Sequence, residues 1–430
     1  MPKDAPEHVS EMSRRRLQSH VFDLPVQELR RGYRSDVYFW RAKRTLASHG
    51  LSPNVTMQVF QRNDAVVCGI DEALAVLKLA TGRYTDPATA YKLFDTLIEL
   101  KQAARLAFRN NAQAHIKLLQ EKLAVSRELD ELWEDAHEGL EVEALHDGDR
   151  CSPWEPVMHI TGDASQFAHL ETIYLGVLAR RTRVATNVHN VVRAARGKTV
   201  LYFPARFDHW AVQGGDGYAA SIGGATAVST DAQGAWWGAK GSGTIPHALI
   251  AAVGGDTVRA TRLFGEAYPE TDLVALVDFD NDCIGTALEC ARTLGKRLWG
   301  VRLDTAGTLV DKSIIPLMGT FRPTGVCYEL VCLVREALDR EGFGHVKIVV
   351  SGGFDPDRIA HFEDKGAPVD AYGVGSYLMS GSYDFTADVV LLDGIPCAKR
   401  GRRYVAGSQL DAVDWEDLNG NGADGGRSAE

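Results

Sequence analysis

Six polar or glycine-rich stretches carry residues whose types and spacing suit chemistry on an anionic, phosphorylated substrate. In GTIPHAL (Gly243 to Leu249) a histidine, His247, follows a proline and stands three residues after Thr244. One reading is a helix start, with Pro246 in the first turn and Thr244 as its cap. The other is an imidazole held where backbone N–H groups and the helix dipole attract phosphate. VVSGGF (Val349 to Phe354) and YGVGS (Tyr372 to Ser376) place glycines directly after apolar runs, where backbone N–H groups can approach an anion closely. VDFDND carries Asp278, Asp280 and Asp282, and VRLDT carries Asp304. Such carboxylates could hold Mg2+ through oxygen ligands, with Asp278 and Asp280 as the candidate pair, or stabilise a cationic transition state. Asp282 also suits the cap of the helix that follows. Arg206 in YFPARFDHW suits a carboxylate or phosphate through a two-pronged contact, or a structural ion pair.

These residues need a scaffold that brings distant segments together. From about residue 165, short apolar runs ending in Gly or Asp alternate with helical stretches. KTVLYFPAR, GAWWGAKGSGT, DLVALVDFD, RLWGVRLDT, HVKIVVSGG and VDAYGVGS each read as a buried strand entering a loop. Arg206, Asp278, Asp280, Asp304, Ser351, Gly352 and Gly375 then recur at strand ends, as in an α/β barrel whose active site lies at one mouth. Upstream, NVTMQVFQRNDAVVCGI reads as a hairpin followed by the helix DEALAVLKL, and residues 85–137 read as a helical pair broken near Arg109-Asn110-Asn111. The expected organisation is a mobile arm over 1–30, a small α/β domain over 31–165 containing that insertion, a barrel over 166–385, a return segment over 386–408 packing on the small domain, and a disordered tail over 409–430.

Composition narrows the function. The chain has 430 residues, 45% apolar and 24% charged, with a formal net charge of −10, which disfavours nucleic acid as a partner. Seven scattered cysteines without a C-x2-C pair disfavour a disulfide framework or zinc knuckle. With no long apolar segment, a cytoplasmic protein free of the membrane is expected.

Taken in order, SDVYF, HDGDRCSPWEPVMHITG, LETIYLGVLARRTRVAT, FPARFDHW with SIGG, GTIPHAL, VDFDND, VRLDT, VVSGGF and YGVGS resemble the nicotinate phosphoribosyltransferases, and more closely their archaeal-type branch. The resemblance spans roughly residues 33–405. It implies an irregular TIM-like barrel with a smaller α/β domain built from both ends of the chain, and a homodimer with shared active sites. It also implies transfer of phosphoribosyl from phosphoribosyl pyrophosphate to nicotinate, in some members coupled to ATP. By the resemblance His247 is the histidine phosphorylated in ATP-coupled members, Arg206 faces the nicotinate carboxylate, and Tyr38 stacks on the pyridine ring of the neighbouring subunit. Asp304 contacts the ribose; Asp278, from its expected place at the same mouth, is the further catalytic candidate. Gly352, Gly353, Gly373 and Gly375 cradle the 5′-phosphate, with Thr244 and Ser351 in the same binding set. Phe207 stands where many members carry a second arginine, and the stretch from about 85 to 137 has no recognised counterpart. A nicotinamide or other aromatic-base transferase of this fold, or a silent phosphoribose-binding protein, are the alternatives.

Overall fold

The computed structural model describes residues 16–419, which form part of two compact units: Met1–Thr182 with Tyr383–Glu430, and Arg183–Ser382. The first unit holds a six-stranded antiparallel sheet in the order Ile395–Pro396, Thr386–Leu392, Asn54–Phe60, Pro156–Asp163, Glu141–Ala144, Asp411–Ala412. Thr386–Leu392 returns to pair with Asn54–Phe60 across the sheet. The expected hairpin is therefore not formed: Asn54–Phe60 lies between two long-range partners, while Ala65–Val66 pairs with Arg150–Cys151. Helix Ile70–Ala80 is buried along nearly its whole length, because Ile70, Leu74 and Leu77 enter the sheet's core.

The helical pair forms as expected. Asp86 caps Pro87–Ala107 and Asn111 caps Ala112–Glu131, each accepting from backbone N–H groups of the first turn. Tyr84, Phe94, Leu97 and Leu129 make its own small core, closed at the base by a ribbon of Gly82–Tyr84 with Trp133–Asp135.

Both ends are more ordered than composition suggests. Arg16 pairs with Asp71 at 3.0 Å in a buried setting, and Leu29 is buried in the sheet's core. The mobile arm is thus corrected for residues 16–30, and its residues 1–15 lie outside the described residues. Asp411–Ala412 adds an edge strand and Leu418 is buried, so the disordered tail is corrected for 409–419, residues 420–430 being outside the described residues.

The second unit is built on a parallel sheet: β1 Thr199–Tyr202, β2 Ala227–Val228, β3 Leu273–Leu276, β4 Leu298–Leu303, β5 Lys347–Val350 and β6 Ala371–Val374. Their order is β3-β4-β5-β6-β1-β2. Every neighbouring pair is parallel. Edges β2 and β3 do not pair with each other, so among the described residues the sheet is a half-barrel. The helices that matter for the site are α1 His247–Ala252, α2 Cys283–Leu294 and α3 Pro356–Asp364. GAWWGAKGSGT is not a strand. Thr230 and Gln233 form a capping box over Asp231–Gly234, and a Cβ at Gly234 would lie 2.0 Å from the Ala239 carbonyl oxygen, so the chain folds back on itself there. Among the described residues no helix is long and apolar enough to cross a membrane.

Candidate active site

Because the six strands run parallel, their C-terminal ends share one edge of the second unit. Side chains two apart on a strand share a face, so Arg302 and Asp304 point together while Val301 and Leu303 are buried opposite. Arg302 binds three groups at once. Its Nε donates to Ser351 Oγ at 2.9 Å, one terminal nitrogen to Thr244 Oγ1 at 3.1 Å, and the other to Asp304 Oδ2 at 3.1 Å. Ser351 in turn donates to Asp304 Oδ1 at 2.6 Å, so both carboxylate oxygens of Asp304 are held. Thr244, Asp304 and Ser351, three separately expected site residues, are thus tied by an arginine that sequence reasoning missed. The alternation Val301-Arg302-Leu303-Asp304 was the signal available, since a cation two residues before the carboxylate must share its face.

Beside this cluster, His247 Nε2 lies 3.1 Å from each carboxylate oxygen of Asp278, at the end of β3. Asp278 is 7% exposed, against 44% for His247. Burial pushes the Asp278 carboxyl above its usual range, the Asp304 charge adds to this, and His247 opposes it. Helix α1 begins at His247, with Pro246 at the cap position and no side-chain cap, so the expected capping by Thr244 is corrected: its hydroxyl is engaged by Arg302. Asp282 does cap α2, accepting from the Gly285 N–H at 3.0 Å. Asp280 is exposed, and among the described residues no cluster of three or more His, Cys, Asp or Glu side chains could hold a metal ion. Asp278 turns both oxygens to His247, while Asp280 is open to solvent.

The glycines divide into two kinds. Gly352 and Gly353 have φ of +93° and +76°, the left-handed region that side chains disfavour. Arg358, from α3, fastens their loop by donating to the Gly352 oxygen at 2.8 Å and the Gly353 oxygen at 3.0 Å. A cavity of about 690 Å³ adjoins this loop, with Arg322, Arg358, His361 and Lys365 in its wall beside Glu329, Asp355 and Asp357. Gly373 and Gly375 have another reason to lack side chains: a Cβ would lie 2.5 Å from the Phe203 ring and 2.7 Å from the Phe207 ring, respectively. Phe207 thus covers Gly375, and Arg302 lies over Phe203 at 5.3 Å. Arg206, in the short turn Pro204–Phe207, is exposed and has no ion pair among the described residues. Tyr38 belongs to the first unit, where it is 63% exposed on helix Val37–Ser48.

Residues 104–182 match the family model for the quinolinate phosphoribosyl transferase N-terminal domain. Nicotinate phosphoribosyltransferase pncB1 of Mycobacterium tuberculosis is 31% identical over 270 residues, 60% of this chain and 55% of that one. Nicotinate phosphoribosyltransferase of Bacillus subtilis is 27% identical over 252 residues, 56% of this chain and 46% of that one. The chain thus spans about half the length of the curated relatives it matches. Among solved structures, nicotinate-nucleotide pyrophosphorylase from Pyrococcus furiosus aligns at 30% identity with a TM-score of 0.66, covering 90% of this chain and 84% of that one. Human nicotinic acid phosphoribosyltransferase, at 17% identity and a TM-score of 0.56 over 84% of this chain and 75% of that one, shares the fold. With an ordered strand-end site and a relative matched along most of both chains, the protein belongs to the nicotinate phosphoribosyltransferase family.

Proposed function

We propose that the protein transfers phosphoribosyl from phosphoribosyl pyrophosphate to nicotinate, giving nicotinate mononucleotide and pyrophosphate. The observation that carries this reading is Asp304, held by Arg302 and Ser351 beside the His247–Asp278 pair. As the bond from ribose C1 to pyrophosphate breaks, positive charge grows on the sugar and negative charge on the leaving group. A carboxylate locked in place stabilises the first without having to reorganise. The left-handed Gly352–Gly353 loop, beside a cavity that Arg322 and Lys365 share with Glu329, Asp355 and Asp357, is this reading's site for the 5′-phosphate. Arg206, exposed and without an ion pair among the described residues, suits the nicotinate carboxylate better than a neutral amide. Mg2+ belongs to this reading as part of the pyrophosphate substrate, since such ions are held mainly by phosphates and water. The irregular barrel, a homodimer in which Tyr38 serves the neighbouring subunit's site, and a cytoplasmic setting complete it.

ATP coupling follows from the same histidine. With its Nε2–H directed at Asp278, His247 presents Nδ1 as the nucleophile. Attack on the γ-phosphorus of ATP forms an N–P bond and breaks the bond to the ADP oxygen, while the Nε2 proton stays shared with Asp278. The test offers nicotinate, nicotinamide or quinolinate with phosphoribosyl pyrophosphate and Mg2+, with and without ATP. Nicotinate should be strongly preferred; equal or greater turnover of another acceptor overturns the substrate assignment. Label from γ-labelled ATP, acid-labile and alkali-stable on the parent but absent from His247→Ala, supports coupling. No label, with transfer indifferent to ATP, overturns coupling alone.

A further inference from the structure

In the loop after β5, one arginine takes up the backbone oxygens and leaves the backbone N–H groups free. Arg358, on α3, turns both terminal nitrogens to carbonyl oxygens. One donates to Gly352 at 2.8 Å and to Gly353 at 3.0 Å, and the other to Val326 at 2.7 Å, just before helix Tyr328–Arg340. The guanidinium lies over the Phe354 ring at 4.2 Å and has no ion pair among the described residues. The neighbouring Asp355 carboxylate is engaged elsewhere, accepting from the Arg358 backbone N–H at 2.8 Å as the cap of α3.

The peptide plane determines what this does to the loop. In a trans peptide the C=O of one residue and the N–H of the next point in opposite directions, and no cis peptide interrupts the described residues. Drawing the Gly352 oxygen to Arg358 therefore turns the Gly353 N–H away from it. The Gly353 oxygen does the same for the Phe354 N–H. Successive φ angles of +93° and +76° allow two neighbouring peptides to take this arrangement, which side chains would oppose. Neither the Gly353 nor the Phe354 N–H donates to any group among the described residues. The two peptides thus lie as aligned dipoles, with oxygen ends on a cation and hydrogen ends open to an anion.

We infer that Arg358 is the positioning residue of the phosphate site: by holding the Gly352 and Gly353 oxygens, it presents the Gly353 and Phe354 N–H groups as paired donors to the 5′-phosphate of the phosphoribosyl substrate. The identity of that substrate rests on the transferase reading. Arg358 acts through the backbone and does not touch the phosphate. Its charge behind the two peptides polarises them and strengthens the bonds they donate, while the Val326 contact fixes the loop before the ligand arrives. A lysine keeps the charge but lacks the planar fork that spans three oxygens.

The test uses ribose 5-phosphate, which carries this phosphate without the pyrophosphate. Glycine labelled with 13C at the carbonyl and phenylalanine labelled with 15N single out two peptides of the chain, Gly342–Phe343 and Gly353–Phe354. The Phe343 N–H already donates to the Leu338 oxygen at 2.8 Å and serves as the internal control. Saturating ribose 5-phosphate should move the Phe354 signal downfield and leave the Phe343 signal in place. Arg358→Lys, checked for folding by circular dichroism, should bind ribose 5-phosphate about tenfold or more weakly by calorimetry. It should raise the KM for phosphoribosyl pyrophosphate in the same measure and leave the KM for nicotinate unchanged, a split that a loss of stability alone would not produce. Arg358→Met, which also removes the charge, should bind more weakly still. The inference is overturned if ribose 5-phosphate shows no saturable binding, if the Phe354 signal stays in place on binding, or if Arg358→Lys binds as the parent does. A Phe354 response that depends on Arg358, in a parent protein that makes no nicotinate mononucleotide, would overturn the transferase reading and support this inference.

Discussion

Replacing Arg302 with methionine keeps most of the side chain's apolar stem and removes three hydrogen bonds together, those to Ser351, Thr244 and Asp304. Bonds to a charged partner contribute about 1.5–3 kcal/mol each, but three bonds from one guanidinium are not additive. The pair is also partly open to water, with Arg302 18% and Asp304 21% exposed, so the 3–5 kcal/mol typical of a broken buried pair is an upper bound. About 2–4 kcal/mol of positioning should be lost. Because Asp304 would keep Ser351 but lose its counter-charge, this loss should appear chiefly in turnover, as a fall in kcat/KM of roughly 10²-fold or more. The assay is steady-state kinetics with thermal unfolding in parallel, using Arg292→Met as a control. Arg292 makes a solvent-exposed pair with Glu341, which water screens, so its loss should cost little. If Arg302→Met keeps kcat/KM within about threefold of the parent, or loses activity only in step with unfolding, Arg302 does not organise the site.

Three further outcomes are expected. Arg206→Ala should raise the KM for nicotinate roughly tenfold, the equivalent of about 1.5 kcal/mol from one charge-assisted contact, with the KM for phosphoribosyl pyrophosphate unchanged. Gly353→Ala places a Cβ at φ +76°, a strain of about 1–2 kcal/mol, and should raise the KM for phosphoribosyl pyrophosphate. Gly366→Ala, at φ +66° with open space around it, should lower stability to a similar extent and leave that KM alone. His247→Gln removes the partner that holds the raised Asp278 carboxyl down, so the acid limb of the kcat/KM profile should move to higher pH. The folded state binds this proton more tightly than the unfolded chain does. The stability this group contributes is therefore fullest below its unfolded pKa and is lost as pH rises through its folded value, a window the variant should extend upward.

Sequence spacing made the helical pair legible, because each helix carries its own cap, Asp86 or Asn111, and its own small core. Five of the expected strand-to-loop segments contain strands of the parallel sheet, since short apolar runs ending in Gly or Asp have few other uses. GAWWGAKGSGT misleads because its tryptophans resemble a strand while Gly234 forces a reversal that depends on Ala239. Hairpin pairing of residues 54–66 fails for a related reason: strand partners are chosen by long-range packing, and Asn54–Phe60 finds its partners about 100 residues or more away. Within the site, the histidine, carboxylates and glycines stood out as residue types. What composition could not convey was which glycines serve a turn and which simply make room for Phe203 or Phe207. Nor could it show that one arginine would join Thr244, Asp304 and Ser351.

The most direct measurement is mass-resolved product formation by the purified full chain with phosphoribosyl pyrophosphate, Mg2+ and isotopically labelled nicotinate, compared with Asp304→Asn. The account predicts labelled nicotinate mononucleotide and one pyrophosphate per product, with turnover lowered roughly 10²-fold or more in the variant. Absence of the mononucleotide from a folded parent protein, or full turnover by Asp304→Asn, would contradict it.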